Sequence, residues 1–151
     1  MNTTGRAMKR LAMLAPLALL GANAPIGTTV SVNVNAMRDS NGFVRMCLTG
    51  NAAMFPKKCD LDPAAKRVIV KASDAGTVVF HDVPPGRYAI ALLHDENGNG
   101  KMDWSFIGMP KEGFGFSRDA PVRLSAPKFD AAAFEVSGQP VKMSMKVRYL
   151  L

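Results

Sequence analysis

The stretch "RYAIALLHD", Arg87 to Asp95, decides the fold. Alternate residues of an extended chain point to opposite faces, so Tyr88, Ile90 and Leu92 share one face and Ala89, Ala91 and Leu93 the other. Both sets are apolar. A strand apolar on both faces lies inside a sheet and is covered from above and below.

Its neighbours read as strands with one wet face. "TVSVNVN", Thr29 to Asn35, alternates valines with Ser31 and Asn33. "RDSNG", Arg38 to Gly42, is the turn into "FVRMCLT", Phe43 to Thr49. "KRVIVKA", Lys66 to Ala72, and "TVVFHDV", Thr77 to Val83, follow, and "PPG", Pro84 to Gly86, turns the chain into the central strand. Beyond a long connection, "AAFEV", Ala132 to Val136, and "VKMSMKVRYL", Val141 to Leu150, complete the set. The last alternates Val141, Met143, Met145, Val147 and Tyr149 against Lys142, Ser144, Lys146 and Arg148. Such lysines on an outer strand discourage edge-to-edge association. Seven short strands with no helical period between them predict an all-β, antiparallel β-sandwich with a long loop between strands five and six.

A chain of 151 residues, 48% apolar, has the length of one domain and enough apolar residues for a core. At its start "MNTTGRAMKR" carries Arg6, Lys9 and Arg10 and no acid, and the uncharged "LAMLAPLALLGANA", Leu11 to Ala24, follows. A basic stretch, a short apolar run and small residues predict a secretory signal peptide over 1–24, with the sandwich in 25–151. The run is shorter than the roughly 20 residues of a membrane span, and Pro16 interrupts it. Pro25 follows the best small-residue cleavage site, so the cut itself stays open. Export predicts a periplasmic or extracellular protein. Losing that segment's three basic residues lowers the formal charge from +7 to +4. This modest excess lacks the dense basic runs of a nucleic-acid surface, so no nucleic-acid partner is expected.

Cys47 and Cys59 are the only cysteines, and an even count in an exported chain predicts a disulfide. Neither has a histidine nearby in sequence to make it a nucleophile.

The central strand delivers the chain into "HDENGNGKMD", His94 to Asp103. On the calcium-loop scheme Asp95, Asn97 and Asn99 take positions one, three and five, Gly100 makes the turn, Lys101 offers its carbonyl, and Asp103 takes position nine. The twelfth position is Phe106, so the bidentate glutamate of an EF-hand is absent. Glu96 or Glu112 could supply a carboxylate after the loop folds back. With two carboxylates in place, a Ca2+ site here would hold the ion at roughly 10⁻⁴ to 10⁻³ M. The alternative is a solvated Asx-type turn.

The connection from Asp95 to Ala131 also carries Trp104, Phe106, Phe114, Phe116 and Phe129. Long irregular connections are usually functional or flexible. Trp104, Phe106, Phe114 and Phe116 are therefore candidate ligand-binding residues, with packing of the loop onto the core as the alternative. No nucleophile elbow, zinc motif or P-loop occurs. His94 beside Asp95 makes an acid/base pair only on paper, because neighbouring side chains of a strand diverge.

The blocks "FHDVPPGRYAIALLHDENGNGKMD" and "GMPKEGFGFS" resemble a family of small exported bacterial proteins catalogued as a domain of unknown function, DUF2141. The resemblance runs from Thr28 to Tyr149. It implies a prealbumin-like Greek-key sandwich, similar to the B repeats of collagen-binding surface proteins. The matching residues are the Pro84 to Tyr88 turn and the Asp95 to Asp103 loop. Related repeat domains use such loops for calcium, and the resemblance implies no catalytic activity. The expected protein is an exported, non-enzymatic module that binds a small molecule, a glycan or an envelope protein through residues 95–131. The alternatives are a purely structural envelope protein with a calcium-stiffened loop and, more remotely, a small hydrolase using His94.

Overall fold

The computed structural model describes Met1 and residues 27–151; the predicted signal segment lies outside the described residues. Strand β1 spans Thr28–Asn35, β2 Phe43–Thr49, β3 Lys66–Lys71, β4 Thr77–Val83 and β5 Gly86–Asp95. After the long connection come β6 Gly113–Phe116, one helical turn α1 Phe129–Ala132, β7 Phe134–Val136 and β8 Val141–Lys146. Strands β4-β1-β8 form one sheet, and β3-β2-β5-β6 the other, with β7 also paired to β5.

The protein is all-β, as the alternation of its sequence predicts, but with eight strands in two sheets instead of seven. The additional strand, β6, lies inside the expected loop. Its sequence, "GFGF", hides it because glycine carries little strand propensity. The packing explains the glycines. A Cβ on Gly113 would enter the ring of Tyr149 and the side chain of Val147, and one on Gly115 would meet the backbone of Lys146. A wholly antiparallel arrangement is also corrected: β1 pairs β8 in parallel, Val30 beside Val141 through Asn35 beside Lys146. Nor does the last strand run to Leu150. Beyond Lys146 the chain crosses to the other sheet, where Arg148 and Phe114 exchange backbone hydrogen bonds.

Two hydrophobic clusters sit on the two faces of β5. Between the sheets, Val30 and Val32 of β1, Phe80 of β4 and Met145 of β8 pack against Val44, Met46, Ile90 and Leu92. Outside the larger sheet, Ala89 is covered by Phe55, Phe114, Phe116, Phe129 and Ala132. Phe55 meets Phe116 and Phe129 edge-on, with ring centroids 5.8 and 6.0 Å apart. The two-sided apolarity of "RYAIALLHD" is thus explained by two separate cores.

Cys47 and Cys59 form the disulfide, with their Cα atoms 6.1 Å apart. It fastens the loop after β2 to the sheet. Arg67 secures the same loop by donating to the carbonyls of Asp62 and Asp60 at 2.6 and 2.8 Å.

Candidate functional site

The polar residues of β5 and the loops following it gather at one end of the two sheets. His94 falls on the inter-sheet face and Asp95 on the opposite face, so the two do not act on each other. Neither side chain is exposed.

His94 lies at the end of the inter-sheet core. Its Nε2 is 2.9 Å from the Asn41 carbonyl, which only accepts, so Nε2 carries the proton. Nδ1 is then free to accept from the Tyr149 hydroxyl, 2.6 Å away. That oxygen in turn accepts from the Arg38 amide at 3.1 Å. Burial pushes the Tyr149 phenol up, in keeping with a hydroxyl that retains its proton and donates it. Sequence alone does not single out Arg38, yet it ties three segments together. Its guanidinium donates to both Glu96 oxygens at 2.8 and 2.6 Å, to the Leu151 carbonyl at 2.7 Å and to the Lys111 carbonyl at 3.2 Å, and it lies 4.5 Å from the centre of the Tyr149 ring.

Asp39, His94 and Glu96 bring ligand-type atoms within 4.8 Å of one another. Each is already engaged: Glu96 by Arg38, His94 by Tyr149 and Asn41, and Asp39 by the Asn41 amide at 2.8 Å. That amide holds the Asp39 carboxyl below its ordinary value, working against burial. The trio is a hydrogen-bonded joint between the β1–β2 loop and the end of β5.

On the other face, Asp95 Oδ2 accepts from Arg45 Nε at 2.6 Å and from the Gly100 amide at 2.9 Å, and Oδ1 accepts from the Asn99 amide at 3.0 Å. Burial acts to raise the Asp95 carboxyl; the Arg45 hydrogen bond and charge and the two amides outweigh it, and the net shift is downward. Asn97 Oδ1 takes the Asn99 amide and Asn99 Oδ1 takes the Lys101 amide, two successive Asx turns. Both Nδ2 groups then donate to one oxygen, Asp103 Oδ2, at 2.7 and 2.8 Å. Four of the five candidate calcium ligands, Asp95, Asn97, Asn99 and Asp103, therefore meet in one network, in which amide donors stand where a cation would face Asp103. Lys101 contributes its backbone amide to that network, and its side chain is exposed. Glu112 does fold back: its two oxygens accept the amides of Glu96 and Asp103, both at 3.1 Å.

Past this loop the chain makes a finger. Lys111 donates to the Asp103 carbonyl at 2.9 Å, Ser105 to Met109 at 2.8 Å, and Gly108, at positive φ, to Ser105 at 3.0 Å. Trp104 and Pro110 form a β-bridge across it. The tip bears Phe106, as exposed as in an open chain at 102%, Ile107 at 61% and Trp104 at 54%. The four candidate aromatics are thereby divided. Phe114 and Phe116, each 6% exposed, lie in β6 and pack in the outer core, because their register places them beside Leu93 and Ala91. Only Trp104 and Phe106 present rings to solvent.

Among the described residues no helix is long and apolar enough to cross a membrane. The family described as "Uncharacterized protein conserved in bacteria (DUF2141)" matches residues 32–144, most of the chain, and the chain belongs to it. No curated protein and no solved structure matches.

Proposed function

We propose that this chain is an exported, non-enzymatic module of the bacterial envelope that docks onto a partner through the finger Asp103–Lys111. The observation that carries this reading is the display of Trp104, Phe106 and Ile107 on a hairpin closed by its own backbone hydrogen bonds. A backbone already ordered by its own hydrogen bonds loses little further entropy on binding, so burial of the apolar side chains it displays translates more efficiently into affinity. The Asp95 to Asp103 loop, the Glu112 carboxylate and the Arg38 joint together fix the base of the finger. Support for a periplasmic or extracellular location comes from the Cys47–Cys59 bridge and from the basic-then-apolar order of residues 1–24. Support for a non-enzymatic role comes from His94, whose ring is buried with both nitrogens engaged. The prealbumin-like relationship belongs to the same proposal and is supported by two sheets of short strands packed face to face. A photo-crosslinker at position 106 in growing cells tests the docking. A discrete adduct is expected, and its absence at 106 and 107 would end the reading.

A second reading gives the loop a structural, calcium-stiffened role. Asp95, Asn97, Asn99 and Asp103 would hold the ion, with the Lys101 carbonyl. The convergence of Asn97 and Asn99 on Asp103 favours it, since turning both amides would present oxygens to one point. The cost is the two Asx-turn hydrogen bonds, which keeps such an affinity weak. Calorimetry with calcium against chelator tests it, and identical melting would remove it.

A further inference from the structure

We infer that the end of the molecule opposite the finger holds a binding site for a small zwitterion, a free amino acid with an apolar side chain, whose ammonium group meets Asp62 and whose carboxylate meets Lys66.

The finger leaves the larger sheet where β5 ends. Where β2 ends and β3 and β5 begin, the mouth of the inter-sheet core opens into a cavity of about 640 Å³, bordered among others by Leu48, Asp62, Lys66, Pro84 and Tyr88. Clefts of roughly 300–1,000 Å³ are the ordinary size of small-molecule sites. Leu48 lies in register with Lys66 on one side and Ile90 on the other, so the three side chains share the inter-sheet face. The Tyr88 ring rests over two glycines: a Cβ on Gly50 would stand 3.6 Å from it and one on Gly86 3.2 Å. Pro84 and that ring form an apolar wall facing the two charges.

Charge decides what the cavity takes. Asp62 is only 4% exposed, yet no cation is paired with it: its oxygens receive one neutral donor each, the Thr49 hydroxyl and the Ala64 amide, the latter at 3.0 Å. These donors, the hydroxyl foremost, hold the carboxyl below its ordinary value. A carboxylate oxygen accepts two hydrogen bonds, and each here has one place left. Arg67 is spent on Asp60, 3.7 Å away, and on the backbone carbonyls of the same loop. A sheltered charge without a counter-charge is destabilising, and an incoming ammonium relieves it. Lys66 borders the same cavity and makes no ion pair among the described residues. A plain cation would be repelled by Lys66 and a plain anion by Asp62, and a neutral molecule would leave both unmatched. A molecule carrying both signs answers both, and its apolar part falls against Leu48, Pro84 and Tyr88.

The test titrates leucine into a chain starting at Pro25, which keeps every strand of the fold, and follows the backbone amides by NMR. Saturable shifts are expected at Asn51, Ala64 and Tyr88, with the finger unmoved. Leucinamide, which lacks the carboxylate, and N-acetylleucine, which lacks the ammonium, should each bind more weakly. Asp62→Asn should weaken leucine binding by about tenfold, as loss of a charged hydrogen-bond partner requires. Lys66→Gln should weaken it roughly threefold, the scale of a solvent-accessible ion pair. Lys66 makes no side-chain hydrogen bond among the described residues, so this variant reads the site even where Asp62→Asn fails to fold. The absence of saturable shifts with leucine, or binding of N-acetylleucine as tight as that of leucine, would overturn the inference.

Discussion

The carboxylate of Asp95 lies beneath the guanidinium of Arg45, Oδ2 to Nε 2.6 Å, with the Asp95 side chain fully buried and Arg45 29% exposed. This pair joins the outer face of β2 to the start of the polar loop. Asp95 hands its remaining acceptor capacity to the Asn99 and Gly100 amides. The base of the finger is therefore organised by one buried charge, and several expectations follow from that.

Removing Arg45 leaves this carboxylate buried without its cation. Arg45→Met should cost about 3 kcal/mol, the lower end for breaking a buried pair because Arg45 keeps partial access to water. Urea unfolding at neutral pH measures it, and a loss within error of zero would refute the role given to Asp95.

Acid should expose the same pair differently. The folded Asp95 lies below its ordinary value of 3.8, so its contribution is present above that pH and is lost as pH falls through the folded value. Asp95→Asn should be less stable than wild type at pH 7, and the gap should close below about pH 3.8. Asp39 and Asp62 shift in the same direction, the latter chiefly through the Thr49 hydroxyl. Only the difference between the two proteins, followed by melting against pH, isolates Asp95. In Arg45→Met the lowering by Arg45 is gone while burial and the two amides remain, so that variant should gain on wild type as pH falls through the acid range.

The asparagine amides that close on Asp103 set the response to calcium. In Asn97→Asp with Asn99→Asp, each new carboxylate can keep its backbone amide on one oxygen and turn the other toward an ion. Without calcium this variant should be less stable than wild type, from three acids meeting unpaired. With millimolar calcium its stabilisation should exceed that of wild type by about 1.4 kcal/mol, a tenfold gain in affinity. Equal calcium responses in the two proteins would mean that the loop is a polar turn with no cationic role.

Replacing Cys47 and Cys59 together by serine should cost about 3 kcal/mol, the chain-entropy value for a loop of this length. Thermal unfolding under non-reducing conditions reads this directly. Two free thiols by mass would show that the bridge does not form.

Tyr149→Phe takes the donor from His94 Nδ1 and the acceptor from the Arg38 amide. A loss of about 1–2 kcal/mol is expected. Nitrogen NMR should find the Nε2-protonated tautomer of His94 in wild type and a mixture in the variant. If wild type itself carries the proton on Nδ1, the joint is wired differently.

The strands were legible in the sequence because period-two alternation is a local property. "TVSVNVN" and "RYAIALLHD" state which faces are apolar without reference to anything distant, and β1, β2 and β4 begin and end within a residue of where the alternation puts them. The bridge between two lone cysteines was legible for the same reason, since only one pairing exists.

What only the tertiary structure decided are the features whose cause lies far away in the chain. Strand β6 is written as "GFGF" because β8 and Tyr149 leave no space for a Cβ there, and nothing local says so. Phe114 and Phe106 look alike in sequence; one is buried because its register sets it beside Leu93, the other is exposed because the hairpin holds it away from both sheets. Arg38 meets Glu96 and Tyr149, 58 and 111 residues distant, only once the sheets are packed. Composition and period determine which residues seek the interior. Which of them reach it depends on the limited space left by non-local neighbours.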